Sequence, residues 1–195
     1  MRARIYLAPS VCENQRHDPM AGEQATLLRD AVAGDERAFD ALIGPLVDSG
    51  YKLAVSMLEN REEAEDAVQE ATIKAWRNLH QLKDPSVAKS WFFTIVANQC
   101  RSVRRGRWWS VVKLAAPEQP RSGPEDEAVQ RTDLERALRS LGPDDRLALY
   151  LRYYMDLPLN EVASVLGVSE TAAKSRIHRA AQGLKPAVDV PEGVT

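Results

Sequence analysis

Residues 157–184, LPLNEVASVLGVSETAAKSRIHRAAQGL, constrain the fold more than any other stretch. Leu159, Val162, Ala163 and Leu166 recur at i, i+3, i+4 and i+7, one apolar stripe on a helix of about two turns. Pro158 fits the first helical turn, where a missing N–H costs nothing. Gly167 stands where a helix end favours a left-handed residue, with Val168 as its apolar contact and Ser169 as the next N-cap. Ala173, Ile177, Ala180/Ala181 and Leu184 then make the buried stripe of a second helix. The small alanines let the two helices cross closely, as in a helix-turn-helix.

Thr171, Lys174, Ser175, His178 and Arg179 remain on the open face, with no acid from Thr171 to Val188. Hydroxyl donors and cations on the N-terminal half of a helix suit the major groove, where base edges and phosphates accept hydrogen bonds. The same pattern also describes a helical hairpin with a solvated basic face.

Charge elsewhere is segregated. The chain of 195 residues has a net charge of −2 and is 44% hydrophobic, the balance of a globular protein rather than a disordered one. Residues 85–117 hold six Lys/Arg and no acid, whereas residues 59–70 hold six acids and one Arg. Such separation predicts two partners, one polyanionic and one basic. Cys12 and Cys100 have no metal-site spacing and form no disulfide framework. Cys100 falls in a helical apolar pattern, as a small buried hydrophobe. No cofactor site is read, His17, His80 and His178 make no triad or ligand set, and no apolar run approaches the ~20 residues of a membrane span. A cytoplasmic protein without membrane insertion is expected.

Taken in order, residues 1–23 show no period and read as a mobile extension, with Met20 as an alternative start. A helical signal begins at Gln24 with Leu27, Leu28 and Ala31. Asp35 caps a helix carrying Ala38, Phe39, Leu42, Ile43 and Leu46, and a further helix holds Tyr51, Leu53, Ala54, Val55 and Leu58. Asn60 caps the next, with Glu63 in the capping-box position and Glu62, Glu65 and Asp66 in the turns that the helix dipole favours. Its core stripe is Ala64, Ala67/Val68, Ala71, Ala75 and Leu79. Asp66, Gln69, Glu70 and Trp76 do not all fit that stripe, and taken alone they read first as a solvated acidic face.

Ser90 is the expected cap of SWFFTIVANQCRSVRRGRWW, in which Phe92, Val96, Cys100 and Val103 are apolar and Trp91, Ile95 and Asn98 begin a mixed face. Arg101, Arg104, Arg105 and Arg107 follow, interleaved with Trp108 and Trp109. Cations for phosphate and flat faces for unpaired bases are what a single strand needs. Core anchoring by the tryptophans fits as well. Residues 116–128, with three prolines and four acids, form an extended, self-repelling linker. A linker of about 16 residues reaches roughly 53 Å when extended. Beyond it, Leu134, Ala137, Leu138 and Leu141 mark a short helix ended by Gly142-Pro143, and Asp144 opens another with Leu147, Tyr150, Leu151 and Tyr154 inward. No strand alternation appears. The fold expected is all-α, two small helical domains joined by a flexible linker, the second containing the helix-turn-helix.

These stretches resemble a known family. RYYMDLPLNEVASVLGVSETAAKSRIHRA is similar to the C-terminal DNA-binding domain of extracytoplasmic-function (ECF) sigma factors of the sigma-70 family of bacterial RNA polymerase. EEAEDAVQEATIKAWRNL resembles that family's polymerase-binding helix, and SWFFTIVANQCRSVRRGR its promoter-melting helix. The match runs in the family's order, from about Gln24 to Leu184. It implies a non-enzymatic factor that binds core polymerase, recognises −35 and −10 promoter elements and helps to melt DNA. The implied divisions are 1–23 extension, 24–113 region 2-like, 114–128 linker, 129–186 region 4-like and 187–195 tail.

Roles follow by matched position. Asp66, Gln69, Glu70 and Trp76 would dock on the polymerase clamp coiled coil. Asn98, with residues 82–89, would take a flipped −10 base, alongside Trp91, Arg101, Arg104 and Arg105. Thr171, Lys174, Ser175, Arg176 and Arg179 would meet the −35 element. An anti-sigma factor is a further expected partner. Two departures stand out: Ala172-Ala173 replaces a commoner Thr and Val, and Ala71-Thr72 replaces a commoner Thr-aromatic pair. Outside the family, a helix-turn-helix repressor or activator would bind DNA without polymerase, and a pure interaction protein would titrate a regulator without engaging a promoter.

Overall fold

A computed structural model describes residues 19–114 and 133–188. The first part is built on three long helices. Helix α1, Pro19–Val32, begins five residues before the expected Gln24 and buries Leu28 and Ala31. Gly34, at φ 102°, reverses the chain. Asp35 then caps α2, Glu36–Leu58, by accepting from the N–H groups of Arg37 at 2.8 Å and Ala38 at 3.3 Å.

The two helices expected between Asp35 and Leu58 are one helix of 23 residues. Pro45 removes a single ladder hydrogen bond but does not break it. Burial of Phe39, Ile43, Leu53 and Met57 on one side holds both halves in line. Gly50 marks the closest approach to the neighbouring helix: a Cβ there would lie 3.1 Å from Phe92 Cε1. Glu59, left-handed at φ 56°, ends α2, and Asn60 caps α3, Arg61–Asn78, accepting from the Glu63 N–H at 3.1 Å. Glu63 does not complete a capping box; its carboxylate pairs with Arg107 at 3.0 Å.

Two short 3₁₀ turns, Leu79–Gln81 and Pro85–Val87, lead into α4, Ala88–Leu114. Ser90 is not its cap. The helix has already begun at Ala88, and the buried Ser90 hydroxyl donates to the Val87 carbonyl at 3.2 Å. Asp84 caps the preceding turn instead, accepting from the Ser86 N–H at 2.9 Å. Helix α4 sends Phe92, Phe93, Val96, Ala97 and Cys100 into the core against α2 and against the alanine stripe of α3. Buried Ala64, Ala67, Ala71 and Ala75 form the side of α3 that packs on its neighbours α2 and α4.

The second part comprises α5, Asp133–Ser140, α6, Pro143–Leu149, α7, Leu159–Leu166, and α8, Glu170–Val188. Helix α6 continues into a π turn, Tyr150–Tyr154. The wider turn rotates Tyr154 out of the inward stripe predicted for it, and the side chain is 57% exposed. Between α7 and α8 the predicted turn is present: Gly167 is left-handed at φ 69°, Val168 N–H donates to Ala163 O, and Ser169 Oγ accepts from Ala172 N–H. Pro158 sits at the N-cap position rather than inside the helix.

The two parts lie against each other. Helix α7 packs on α4 and α6 on α2, and the buried side chains run together in one cluster. Among the described residues there is no strand. The linker beyond Leu114 up to residue 128, the chain before Pro19 and the tail after Val188 lie outside the described residues.

Candidate nucleic-acid and partner interfaces

Burial of Ala173, Ile177 and Ala180 fixes which way α8 faces. Thr171, Lys174, Ser175, His178 and Arg179 are exposed on the opposite side, as the 3.6 period requires. Arg176 does not join them. It is half-buried and turns toward α6, where its guanidinium lies 3.9 Å from Asp144 Oδ2 and 3.5 Å from Asp145 Oδ1. Ala172 is exposed and Ala173 buried. The open face therefore carries a methyl at its N-terminal end where a hydroxyl could have stood.

On α4, Asn98 and Arg105 are exposed and Trp91, Arg101 and Arg104 half-buried. Arg101 occupies the centre of a polar cluster. Its Nε and Nη2 donate to Asp144 Oδ1 at 3.3 and 3.2 Å, and its Nη1 to Asn98 Oδ1 at 3.1 Å and to the Val165 carbonyl at 3.5 Å. The mixed face of α4 is thus covered in part by α6 and α7. Trp108 and Trp109 lie outside the residues whose side chains are described. Cys100, on the inner face, is fully buried, and burial pushes its thiol up to about 11. It is an inert packing group.

On α3, Asp66 and Gln69 are exposed and Glu70 half-exposed, paired to Lys74 at 3.5 Å. Trp76 is 36% exposed and packs edge-on against Phe39 at 5.1 Å. The structure adds Ile73, 38% exposed, which the sequence reading passed over. Positions 66, 69, 70, 73 and 76 follow one helical face, an acidic rim around an apolar centre. Its signal was available: Ile73 breaks the alanine stripe at a spacing that cannot point inward. Asp144 reads in the sequence only as the opening of a helix and Asp145 carries no signal, because pairing across the chain leaves no local pattern.

Four further contacts join the parts. Tyr150 Oη donates to Ser49 O at 2.8 Å, Lys89 Nζ to Met155 O at 2.6 Å and Lys52 Nζ to Tyr154 Oη at 2.9 Å. Arg146, buried, pairs with Glu59. Burial pushes the Tyr150 phenol up to about 12, and the hydrogen bond to Tyr154 raises the Lys52 ammonium above its ordinary value. Among the described residues no cluster of His, Cys, Asp and Glu could hold a metal, and no helix is long and apolar enough to cross a membrane.

Comparison with known proteins gives these faces a family. The Sigma-70 region 2 family matches residues 43–110 and the Sigma-70, region 4 family residues 131–182. The chain is 32% identical over 131 residues to the RNA polymerase sigma factor SigV of Bacillus subtilis, covering 67% of this chain and 78% of that one. It is 30% identical over 179 residues to the ECF RNA polymerase sigma factor SigM of Mycobacterium tuberculosis, covering 90% and 88%. The solved sigma factor RpoE of Bartonella quintana, in complex with the anti-sigma factor NepR, superposes with a TM-score of 0.65 at 26% identity, covering 79% of this chain and 98% of that one. The all-helical build, the helix-turn-helix and these matches agree: the chain belongs to the ECF group of the sigma-70 family, promoter-recognising factors that direct RNA polymerase and are not enzymes.

Proposed function

We propose a division of labour among three faces of this sigma factor. The stripe Asp66, Gln69, Glu70, Ile73 and Trp76 on α3 docks on the clamp coiled coil of core polymerase, the acids steering the approach and the exposed apolar pair anchoring it. Thr171, Lys174, Ser175 and Arg179 on α8 read the −35 element as duplex, with Arg176 joining them once released from Asp144 and Asp145. Trp91, Asn98, Arg101, Arg104 and Arg105 on α4, with residues 82–89, hold the opened −10 strand. Extruding a base costs a few kcal/mol, which polymerase docking and the pocket contacts supply together. Residues 24–113 and 129–186 are the two working units, joined by the linker 114–128.

The observation that carries this reading is the pairing, in one chain, of a donor-rich open face on α8 with an acidic and apolar stripe on α3. A DNA-binding regulator has use for the first alone, and a titrating protein for the second. An anti-sigma factor is a further partner: RpoE was solved with one, and this chain shares its fold and a quarter of its sequence. Work on polymerase and promoter DNA puts the protein in the cytoplasm. Run-off transcription by core polymerase, with and without the protein, tests the reading. A promoter-specific transcript that depends on the protein supports it. Specific DNA binding without transcript would make the chain a regulator, and neither activity would make it an interaction protein.

A further inference from the structure

Two neighbouring side chains on α4 end in carboxamides, and in each the oxygen is taken by a cation. Lys74 of α3 donates from Nζ to Gln99 Oε1 at 2.6 Å and pairs with Glu70 at 3.5 Å. Arg101 donates from Nη1 to Asn98 Oδ1 at 3.1 Å. Ammonium and guanidinium groups hold donors and no acceptor, so each fixes which end of the amide faces it. The oxygens turn to the cations and the NH2 groups are left to face away. Among the described residues, neither Asn98 Nδ2 nor Gln99 Nε2 has a partner. Asn98 is exposed, and Gln99 is half-buried beside it. Both pairs lie within the first part, Lys74–Gln99 between α3 and α4 and Asn98–Arg101 along α4 itself.

We infer that Gln99 reads a base of the opened strand next to the one read by Asn98, with Lys74 as its positioning residue. The inference rests on the assignment of α4 to the −10 strand. An amide free to turn offers either its oxygen or its N–H groups, and so tolerates either kind of base edge. Amides pinned by Lys74 and Arg101 offer N–H groups alone. An unpaired base is read on its Watson–Crick edge. There thymine and guanine carry a keto oxygen at the place that cytosine and adenine fill with an amino group. Two donors set against each other form no bond, so this face selects keto bases and rejects amino bases. Successive helix positions are turned by about 100°, and their Cα atoms lie about 3.8 Å apart. The two amides therefore address neighbouring nucleotides, one each.

The test uses holoenzyme at saturating core polymerase and a pre-melted promoter template randomised across the −10 region. Sequencing of the bound fraction gives the base preference at each position. The parent is expected to favour thymine or guanine at two neighbouring positions. Gln99→Glu keeps the shape of the side chain but shows acceptors alone, and it moves one of those positions about tenfold toward adenine or cytosine. Lys74→Met frees the amide and flattens the preference at that same position, while the position read by Asn98 keeps its preference. A helix brace with no reading role predicts something else, weaker binding with the profile unchanged at every position, and that result overturns the inference. If Asn98→Ala still flattens one position while Gln99→Glu alters none, Gln99 and Lys74 lose their role and the assignment of α4 stands. If neither variant alters the profile, the assignment of α4 to the strand falls with them.

Discussion

Tyr150 donates its phenol hydroxyl to the backbone carbonyl of Ser49 at 2.8 Å, joining the π turn after α6 to the middle of α2 across 101 positions of sequence. The phenol is held neutral by burial, its proton kept up to about pH 12 against an ordinary value of 10. A raised folded-state value means that this contribution is complete below pH 10 and is lost as pH climbs from 10 to about 12. Absorbance titration of tyrosinate is expected to show one phenol titrating last. Tyr150→Phe removes that step and lowers stability by about 1 kcal/mol, since Ser49 O keeps its place in the helix ladder.

Gly50 is a second point of close approach, with Phe92 Cε1 3.1 Å from where a Cβ would begin. Both α2 and α4 are committed to this contact, because Phe92 and Val96 are fully buried. Gly50→Leu is expected to destabilise the fold by about 1–3 kcal/mol through overpacking. Chemical denaturation checks this, and a variant as stable as the parent would contradict the packing described.

The acidic stripe on α3 separates binding from folding. Asp66 is exposed, so Asp66→Arg is expected to change stability by no more than about 0.5 kcal/mol. Its affinity for core polymerase, measured by fluorescence anisotropy of labelled protein, falls all the same, as does that of Ile73→Asp. Unaltered core binding by folded variants of both kinds would remove α3 from the polymerase interface.

Much of this was legible beforehand because it is local. Asp35, Asn60, Gly167 and Ser169 cap or end helices through bonds within four residues, and each sits where its residue type predicts. The face of α8 follows from Ala173, Ile177 and Ala180 alone. Other local readings failed for tertiary reasons, as where Glu63 pairs with Arg107 instead of closing a capping box. The apolar runs ending at Leu46 and starting at Tyr51 read as two helices, yet packing of both on a shared core makes them one, Pro45 included. Ser90 has the right chemistry for a cap but lies one turn inside a helix begun by the turn at Pro85. Tyr154 keeps the spacing of a buried position until the π turn adds a residue to the period. The pairs Arg101–Asp144, Arg146–Glu59 and Tyr150–Ser49 left no trace at all, since each spans 43 or more positions and no periodicity links its members.

In the division of labour proposed for this protein, duplex reading and strand opening belong to different faces, α8 and α4. Arg179 is exposed on the side of α8 away from Ile177, and Asn98 is exposed on α4. Loss of a good base contact costs about 1–3 kcal/mol. Arg179→Ala is therefore expected to weaken −35 binding by holoenzyme on any template. Asn98→Ala spares duplex binding and impairs opening, and a template already melted at the −10 region relieves the defect. Permanganate footprinting of unpaired thymines, on intact and pre-melted templates, measures both directly. Rescue of Asn98→Ala alone is expected on the pre-melted template; equal failure of both variants there would overturn the division between α8 and α4.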